Sequence, residues 1–502
     1  MSKNFTNAFF ALLISGCATA ASNTQPTSEL TPEQWYQSGA EAVKQLQKKN
    51  QFPDRAKNVI LFVGDGMSIG TITAARIHEG QLAGQPGEEN LLSFEHFHNT
   101  ALVKTYNTNQ QTPDSAGTMT AMMSGIKTKA GTLAVNANSQ LGVCEGEKHH
   151  VPTLLEMAEK VGFRTGIVST ARLTHATPAA TYAHAESRNW EGDSEMESEM
   201  FTLGCRDIAR QLIEFNHGNG LEVAMGGGRR FFLPSDKKDP EYTSASGRRK
   251  DNRNLMQEWE NKYKNSAAIW NLEQLRKIDT QKTDHLLGLF ETSHMQYEQD
   301  RKNDRGGEPS LKEMTTTALK ILQKKDQRFF LMVEAGRIDH GHHGGVAHRA
   351  LTDTLAFSDA IAAAAEVVDL NETLILVTAD HSHTFTFAGY PSRGNPILGK
   401  VKGNDRQGNP SDKLLLDEQK RPYTTLGYAN GPGYVNGDQR PDLTHVDTTS
   451  PDFRQAATIP LHSETHSGED VALYATGAGS HMVRGVIEQH VIFHIMKTAL
   501  NL

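Results

Sequence analysis

A carboxylate and an imidazole lie four residues apart in the stretch 329–343, which reads FFLMVEAGRIDHGHH. On a helix, this spacing would bring Asp339 and His343 to the same face and aim them at one point. Carboxylate oxygen and imidazole nitrogen are ligands that suit zinc. A solvated polar loop with a few hydrogen-bonded histidines is the alternative on these residues alone, so the elements around them must decide.

Three apolar runs lead into acidic residues, and each run is short and continuous enough to predict a buried strand. The runs are 58–66, 329–333 and 373–378, and the polar residues at their ends are Asp65, Glu334, Asp380 and His381. Helical patterns alternate with such runs, which predicts an α/β fold with a doubly wound, mostly parallel sheet flanked by helices. Ligands bind at the carboxyl ends of the strands in such sheets. We therefore expect one metal-binding edge.

A serine stands where a helix is predicted to begin. Pro113 and Asp114 precede Ser115, and small and apolar residues follow it. The free amide groups at a helix amino end favour an anion, such as a serine alkoxide or a bound phosphate. Taken alone, a serine at this position is more typical of a helix cap than of a nucleophile.

Composition limits the domain organisation and the partners. The chain has 502 residues, with 51 basic and 59 acidic side chains and a net charge of −8. The basic residues are scattered, whereas a nucleic-acid-binding protein would show a basic patch or stripe. The length suits one enlarged α/β domain or two domains. We predict one domain over residues 31–502, with polar insertions at 232–310 and 389–461.

The amino-terminal residues, MSKNFTNAFFALLISGC, predict a signal peptide over 1–17, followed by a flexible tether over 18–30. The residues before Cys17 resemble a bacterial lipoprotein box, which would leave Cys17 acylated, although residues 18–20 also resemble an ordinary cleavage site. We favour the lipoprotein. Later stretches are not apolar enough to cross a membrane. The mature protein is therefore expected to be exported, either periplasmic or tethered to a membrane by lipid.

Two cysteines follow Cys17, namely Cys144 and Cys205. Disulfides can form in an exported protein, so one disulfide bond between these two cysteines is the simplest expectation. Two buried free thiols are the alternative.

Twelve sequence stretches, taken together and in order, resemble the alkaline phosphatase family, and closely its vertebrate-like branch. The resemblance runs from about residue 51 to the carboxyl terminus, and with the lipoprotein-like leader it suggests a bacterial member. The stretches are NVILFVGDGM, TAARI, KTYN, PDSAGTMTA, RLTHATPAATYAH, SRNW, GGGRR, DPEY, GLFE, FFLMVEAGRIDHGHH, VTADHSHTFTFAGYP and ETHSGEDV.

The resemblance implies two zinc ions and one magnesium ion. The implied ligands are Asp339, His343 and His466 for the first zinc; Asp65, Asp380 and His381 for the second zinc; and Asp65, Thr177 and Glu334 for magnesium. The donor types agree, because histidines occur only in the zinc sets and a hard cation prefers oxygen.

The resemblance further implies that Ser115 is the nucleophile and that Arg188 clamps phosphate with its two-pronged guanidinium. His175, His340 and His383 would orient the ligands and the phosphate. The implied reaction is hydrolysis of phosphate monoesters to an alcohol and inorganic phosphate through a phosphoserine. A related sulfatase or phosphodiesterase is an alternative, but no Cys/Ser-x-Pro-x-Arg motif of a sulfatase surrounds Ser115. A non-catalytic exported zinc-binding protein is another alternative.

The family pattern also implies a calcium site, a disulfide and a homodimer. The calcium ligands would be Glu241, the main-chain oxygen of Phe290, Glu291 and Glu308. Glu308 stands where an aspartate is usual, so a solvated acidic insertion is the alternative to a calcium site. Cys144 and Cys205 match a bridged pair of the family. The insertion 389–461 would crown the dimer interface, and the helix predicted over 30–51 would extend toward the partner.

Overall fold

Apolar runs pair into strands throughout the part of the chain that the computed structural model describes, namely residues 34, 36–39, 41, 43, 52–437 and 440–502. These strands are β1 (Asn58–Gly64), β2 (Asn99–Lys104), β3 (Arg164–Arg172), β4 (Val223–Gly227), β5 (Ser266–Ile269), β6 (His285–Leu289), β7 (Phe329–Ala335), β8 (Thr373–Ala379), β9 (Ser382–His383), β10 (Phe385–Phe387), β11 (Lys402–Asn404), β12 (Pro410–Leu414), β13 (Leu426–Gly431), β14 (Ala457–Pro460), β15 (His466–Ser467), β16 (Val471–Gly477) and β17 (Gly485–Glu488).

The α-helices lie mostly between the strands in sequence. They are α1 (Ile69–Leu82), α2 (Ser115–Ser124), α3 (Leu154–Lys160), α4 (Ala176–Ala179), α5 (Ser198–Thr202), α6 (Ile208–Glu214), α7 (Leu255–Lys262), α8 (Leu272–Arg276), α9 (Leu311–Leu322), α10 (Arg337–His343), α11 (Ala347–Val367) and α12 (Val491–Leu500).

Ten of the described strands form one sheet, in the order β17-β2-β16-β8-β1-β7-β3-β4-β6-β5. β16 runs antiparallel to β8 and β2, whereas the other neighbouring pairs of this sheet are parallel. Every residue of β1, β7 and β8 is buried. Strands buried in this way need cover on both faces, and helices supply it in parallel sheets. The predicted α/β fold with a mostly parallel sheet flanked by helices is confirmed.

The register of the three central strands brings their carboxyl ends to one level. β1 lies between β7 and β8, and Gly64 pairs with Ala335 on one side and with Ala379 on the other. Asp65 and Asp380 follow these paired residues directly, and Glu334 precedes Ala335 by one position. The sheet therefore delivers all three carboxylates to a single edge, as expected from the ends of the apolar runs.

Two segments of the main sheet differ from the sequence-based expectation. The predicted insertion 232–310 contains β5 and β6, which extend the central sheet at one edge. The helical pattern of residues 486–500 predicts one helix over that range, but α12 begins only at Val491, because Val486 and Ile487 pair with β2, a strand that the sequence did not predict. The β-branched side chains of Val486 and Ile487 favour a strand, and the available edge of β2 supplies the partner.

The chain divides into two units, Met1–Lys49 and Asn50–Leu502, and all the labelled elements belong to the second unit. In the first unit, the described residues 34, 36–39, 41 and 43 are helical and exposed, in line with the helical pattern of 30–51. The predicted signal peptide, Cys17 and the tether lie outside the described residues, and the predicted domain limits stay a prediction.

Candidate metal centre

The side chains predicted for the first zinc come from α10 and β15. The helix places Asp339 and His343 one turn apart, and β15 places His466 opposite His383 of β9. The Nε2 atoms of His343 and His466 lie 3.2 and 3.3 Å from Asp339 Oδ1 and 3.2 Å from each other. Ligand atoms around a tetrahedral zinc with bonds of about 2.0 Å are separated by about 3.3 Å. The three atoms therefore fit one ion.

The side chains predicted for the second zinc have the same spacing. His381 Nε2 lies 3.3 Å from Asp65 Oδ1 and 3.3 Å from Asp380 Oδ2, and all three residues are fully buried. The other oxygen of Asp380 accepts hydrogen bonds from the amides of Gly66 and His381. These backbone bonds fix the direction of the carboxylate, as the partners of a metal ligand commonly do.

The predicted magnesium ligands are buried oxygen atoms that lack hydrogen bonds. Both carboxylate oxygens of Asp65, Thr177 Oγ1 in α4 and Glu334 Oε1 find no hydrogen-bond partner among the described residues. The other Glu334 oxygen accepts from the hydroxyl of Ser169. Buried polar atoms without partners are costly, so an oxygen-binding cation suits this group.

The raised pKa values of the buried carboxyl groups also favour bound cations. Burial raises the pKa of Asp65 well above its ordinary value, and the charges of Asp380, Asp339 and Glu334 raise it further. Burial likewise raises the pKa of Glu334 to about 7, with a contribution from Asp380. Closely spaced buried carboxylates cannot all be ionised without cations. The residues present therefore fit several bound metal ions.

Ser115 is the first residue of α2 and is buried, and its Oγ lies 3.1 Å from His381 Nε2. The helix cap is Asp114 instead, whose Oδ1 accepts from the amide of Gly117 at 3.1 Å. The alternative that Ser115 serves as the cap is therefore wrong. Its hydroxyl faces the predicted second zinc group.

Arg188 is hydrogen-bonded to Asp114, the residue that precedes Ser115. Its Nη1 donates to Asp114 Oδ2 at 3.1 Å, and its Nη2 donates to His175 Nε2 at 3.0 Å. An arginine has no lone pair to offer, so His175 must carry its own proton on Nδ1. One ring nitrogen of His175 also lies within 4.8 Å of carboxylate oxygens of Asp65 and Glu334. The structure thus joins the predicted clamp to the predicted magnesium group.

His383, predicted as an orienting residue, contacts a zinc-ligand candidate directly. Its Nε2 lies 2.8 Å from Asp339 Oδ1, and its Nδ1 lies 2.6 Å from Glu464 Oε2. Burial acts to lower the pKa of His383, but the hydrogen bonds with Asp339 and Glu464 outweigh it and raise the pKa to about 10. Glu464 was missed from the sequence, although it stands two residues before His466 in the ETHSGEDV stretch.

His340, also predicted to orient ligands, stacks among other imidazoles. Its ring centroid lies 5.7 Å from that of His175 and 4.1 Å from that of His294, which the sequence did not single out. A metal ion among these three rings is disfavoured, because Arg172 donates to His294 and Arg188 donates to His175. The lone pairs that would bind a metal already accept hydrogen bonds.

The predicted calcium ligands Glu241, Glu291 and Glu308 come together with a fourth carboxylate, Asp304. Glu308 Oε1 and both Asp304 oxygens find no hydrogen-bond partner in the described part of the chain. Burial raises the pKa of Glu308 to about 9, helped by Asp304 and Glu291. Burial also raises the pKa of Asp304 to about 7, and Glu241 adds to this. Phe290 immediately precedes Glu291 after β6. Asp304 was missed because it lies in an aperiodic polar loop.

Cys144 and Cys205 form a disulfide bond across a separation of 61 residues, as predicted.

A model of the alkaline phosphatase family matches residues 56–502. The chain belongs to the alkaline phosphatase family. It is 43% identical to the tissue-nonspecific alkaline phosphatase of Homo sapiens over 502 residues, covering 98% of this chain and 92% of the human protein. It is also 43% identical to an alkaline phosphatase of Gadus morhua over 475 residues, covering 93% and 95%. The predicted family and the predicted enzyme class, a phosphoric monoester hydrolase, are confirmed.

Solved alkaline phosphatases share the fold. That of Thermus thermophilus has a TM-score of 0.62 and 25% identity, and the match covers 94% of this chain and 96% of that one. The alkaline phosphatase of the Antarctic bacterium TAB5 has a TM-score of 0.58 and 22% identity, covering 90% and 99%. Together with the candidate metal-binding groups, membership in this family agrees with metal-dependent hydrolysis of phosphate monoesters.

Proposed function

We propose that the chain hydrolyses phosphate monoesters through a phosphoserine at Ser115, with two zinc ions and one magnesium ion bound by the ligand sets predicted above. The observation that carries this proposal is the place of Ser115 Oγ, 3.1 Å from His381 Nε2 at the amino end of α2. A hydroxyl buried beside two groups of metal ligands and a guanidinium has the partners that a phosphoryl-transfer nucleophile requires.

The residues of the chain bind and orient the phosphoryl group. Ser115 attacks phosphorus as the alcohol leaves, and water then hydrolyses the phosphoserine, releasing phosphate. When bound, the metals supply Lewis acidity that ionises the serine and the attacking water and neutralises charge on the phosphoryl oxygens. The amino end of α2 also favours negative charge at this point.

Arg188 is positioned for its role before substrate arrives. Asp114 and His175 each accept one of its N–H groups, which holds the planar fork in one orientation. A guanidinium held in this way can donate to two phosphoryl oxygens at once. Little rotational freedom would then be lost when phosphate binds.

Turnover on three aryl esters tests the proposal. An aryl phosphate should be hydrolysed much faster than an aryl sulfate or a bis-aryl phosphate, and chelation should abolish the activity. Elemental analysis before and after chelation should show zinc and magnesium leaving with the activity. Equal or greater turnover of the sulfate or the diester would contradict the proposal, and so would activity that survives complete metal removal.

Arg188→Ala is expected to raise KM for an aryl phosphate and to lower kcat/KM by about a hundredfold, because donors aimed at developing charge contribute on that scale. Inhibition by inorganic phosphate should weaken in parallel. The exposed Arg484 offers a control, since Arg484→Ala removes a cation outside the site and should change neither constant. An unchanged inhibition constant for phosphate in Arg188→Ala would show that Arg188 does not clamp phosphate.

We also propose that Glu241, Glu291, Glu308 and the Phe290 carbonyl bind calcium, and that Asp304 adds a fourth carboxylate. The raised pKa values of Glu308 and Asp304 mean that the calcium-free folded state holds protons that the unfolded chain releases above about pH 4. Their contribution to stability is therefore present at low pH and is lost as pH rises through about 7 and 9.

The melting temperature of calcium-free protein, kept in zinc and magnesium, should consequently fall between pH 6 and pH 9. Added calcium should restore it at pH 9 by binding the ionised carboxylates. Glu308→Gln serves as the comparison, because it keeps the side-chain volume and should reduce both the pH dependence and the response to calcium. If added calcium does not change the wild-type melting temperature at pH 9, the region is an acidic insertion that binds no calcium.

A homodimer is the proposed assembly, with residues 389–461 at its interface. Several large apolar side chains of this region are exposed, among them Tyr390 at 94%, Val435 at 50% and Leu416 at 49%. Exposed apolar groups concentrated in one region favour a partner surface. Light scattering should give twice the mass of the chain, and a monomeric mass would rule the dimer out.

Export is proposed from the sequence of the leader, with either a periplasmic location or a lipid anchor on Cys17. No helix of the described residues has the length and hydrophobicity needed to cross a membrane. Mass spectrometry of the mature amino terminus distinguishes an acylated Cys17 from cleavage after residue 20.

A further inference from the structure

A second group of potential metal ligands lies in a cleft that shares no lining residue with the centre described above. The cleft has a volume of about 390 Å³ and is lined by residues of 146–156, 182–190 and 204–217. Glu156 of α3 reaches into it, as do His184 and His217. Glu156 and His184 are nearly buried, whereas His217 is partly exposed at the cleft.

One carboxylate oxygen is the meeting point of the group. Glu156 Oε1 lies 2.7 Å from His184 Nε2 and 3.4 Å from His217 Nε2. The other oxygen, Oε2, accepts from the amide of Thr153 at 3.1 Å in a capping box at the start of α3. The helix end therefore turns Oε1 toward the two imidazoles.

The tautomer of His184 is fixed by its surroundings. Its Nδ1 donates to the carbonyl of Ala134 at 2.9 Å, and its backbone amide donates to Gln211 Oε1 at 2.9 Å. The lone pair of Nε2 therefore points at Glu156 Oε1. Two lone pairs cannot face each other at 2.7 Å unless a proton lies between them, so a hydrogen bond joins this pair.

We propose that Glu156, His184 and His217 bind a divalent transition-metal ion of the zinc class, in addition to the metals of the phosphatase centre. The set of two histidines and one carboxylate is a common zinc ligand set, and the carbonyl bond at His184 Nδ1 is the usual support of a zinc-binding imidazole. His217 Nε2, 3.4 Å from Glu156 Oε1, already has the separation of about 3.3 Å expected around a tetrahedral ion. His184 Nε2, at 2.7 Å, must move away from this oxygen by about 0.6 Å when the ion replaces the proton between them.

The charge of the cleft favours a cation. Glu147 and Glu186 line it in addition to Glu156. Glu214 also lines it, but Arg206, Arg210 and Arg253 lie within ion-pair distance of this carboxylate, so it does not add to the negative charge. Metal binding would release the proton between His184 and Glu156 into solvent. The net charge of the group would therefore rise by one when a divalent ion binds. The ion would join α3 to the segments on either side of α6.

Metal counting on the intact protein tests this site. Wild type, Glu156→Gln and His217→Ala are dialysed against the same zinc-buffered solution containing magnesium, and zinc per chain is measured by elemental analysis. Each variant should hold one zinc fewer than wild type while keeping wild-type turnover of an aryl phosphate. Glutamine can still close the capping box, and His217 is partly exposed, so both variants should fold.

Glu147→Gln provides the matched control, because it removes a carboxylate from the same cleft without touching the ligand set. It should keep the wild-type zinc count. If wild type, Glu156→Gln and His217→Ala hold the same number of zinc ions per chain, the inference is overturned, and the group is a protonated histidine paired with a carboxylate. A loss of one zinc in Glu147→Gln as well would also overturn it, since cations would then be held only by the general charge of the cleft.

Discussion

Ser115→Ala is expected to lower kcat on an aryl phosphate by about 10³- to 10⁶-fold, the range seen when a catalytic nucleophile is removed. The change deletes one oxygen atom at the start of α2 and leaves the cap at Asp114 in place. Folding and metal content should therefore be unchanged. Steady-state kinetics together with circular dichroism and elemental analysis measure the three quantities.

Ser124→Ala is the control for this substitution, because Ser124 ends the same helix and its hydroxyl only donates to the carbonyl of Thr120. It should retain near-wild-type turnover. A phosphoserine trapped at low pH and located by mass spectrometry should lie at position 115 in wild type. Near-wild-type turnover of Ser115→Ala would show that another group attacks phosphorus.

Asp65→Asn should remove metal from two groups at once, because Asp65 is proposed as a ligand in both the second zinc set and the magnesium set. Both of its carboxylate oxygens are buried and without hydrogen bonds in the described part of the chain. We expect the protein to lose at least one zinc and one magnesium per chain and to lose turnover by about a thousandfold, because a metal ion contributes several kcal/mol of charge stabilisation and each 1.4 kcal/mol is about tenfold in rate.

The same substitution should affect stability with opposite signs in the two metal states. In chelator, Asp65→Asn removes a buried group whose charge repels Asp380 and Asp339, so the melting temperature should rise or stay constant. With metals present it should fall, because bound ligand no longer stabilises the folded state. Asp54→Asn, at an exposed position, should alter neither value. A variant of Asp65 that keeps the wild-type metal count would refute its bridging position.

The sequence predicted the parts of the centre that depend on local pattern. Continuous apolar runs located the strand ends at Asp65, Glu334 and Asp380, and helical spacing brought Asp339 and His343 together. These predictions hold because burial on both faces of a parallel strand constrains every residue in it.

Other parts could not be predicted because they depend on contacts between distant segments. Glu464 contacts His383 across 81 residues, and only the pairing of β15 with β9 brings them together. Asp304 joins the acidic group from an aperiodic loop. The short strand β17 forms because β2 offers an open edge, which overrides the helical pattern that continues into α12.

The central position of β1 has a consequence for how the chain acquires its metals. The amide of Gly66 donates to Asp380 across 314 residues, and β8 can take its place beside β1 only after about three-quarters of the chain has been synthesised. Contacts of such high sequence separation form slowly, because the entropy of closing a long loop must be overcome first. The second zinc set is complete only when β8 lies beside β1, so uptake of that ion should follow their pairing as a separate kinetic phase. A chain that ends before β8 would carry Asp65 and Ser115 but could not complete the second zinc set.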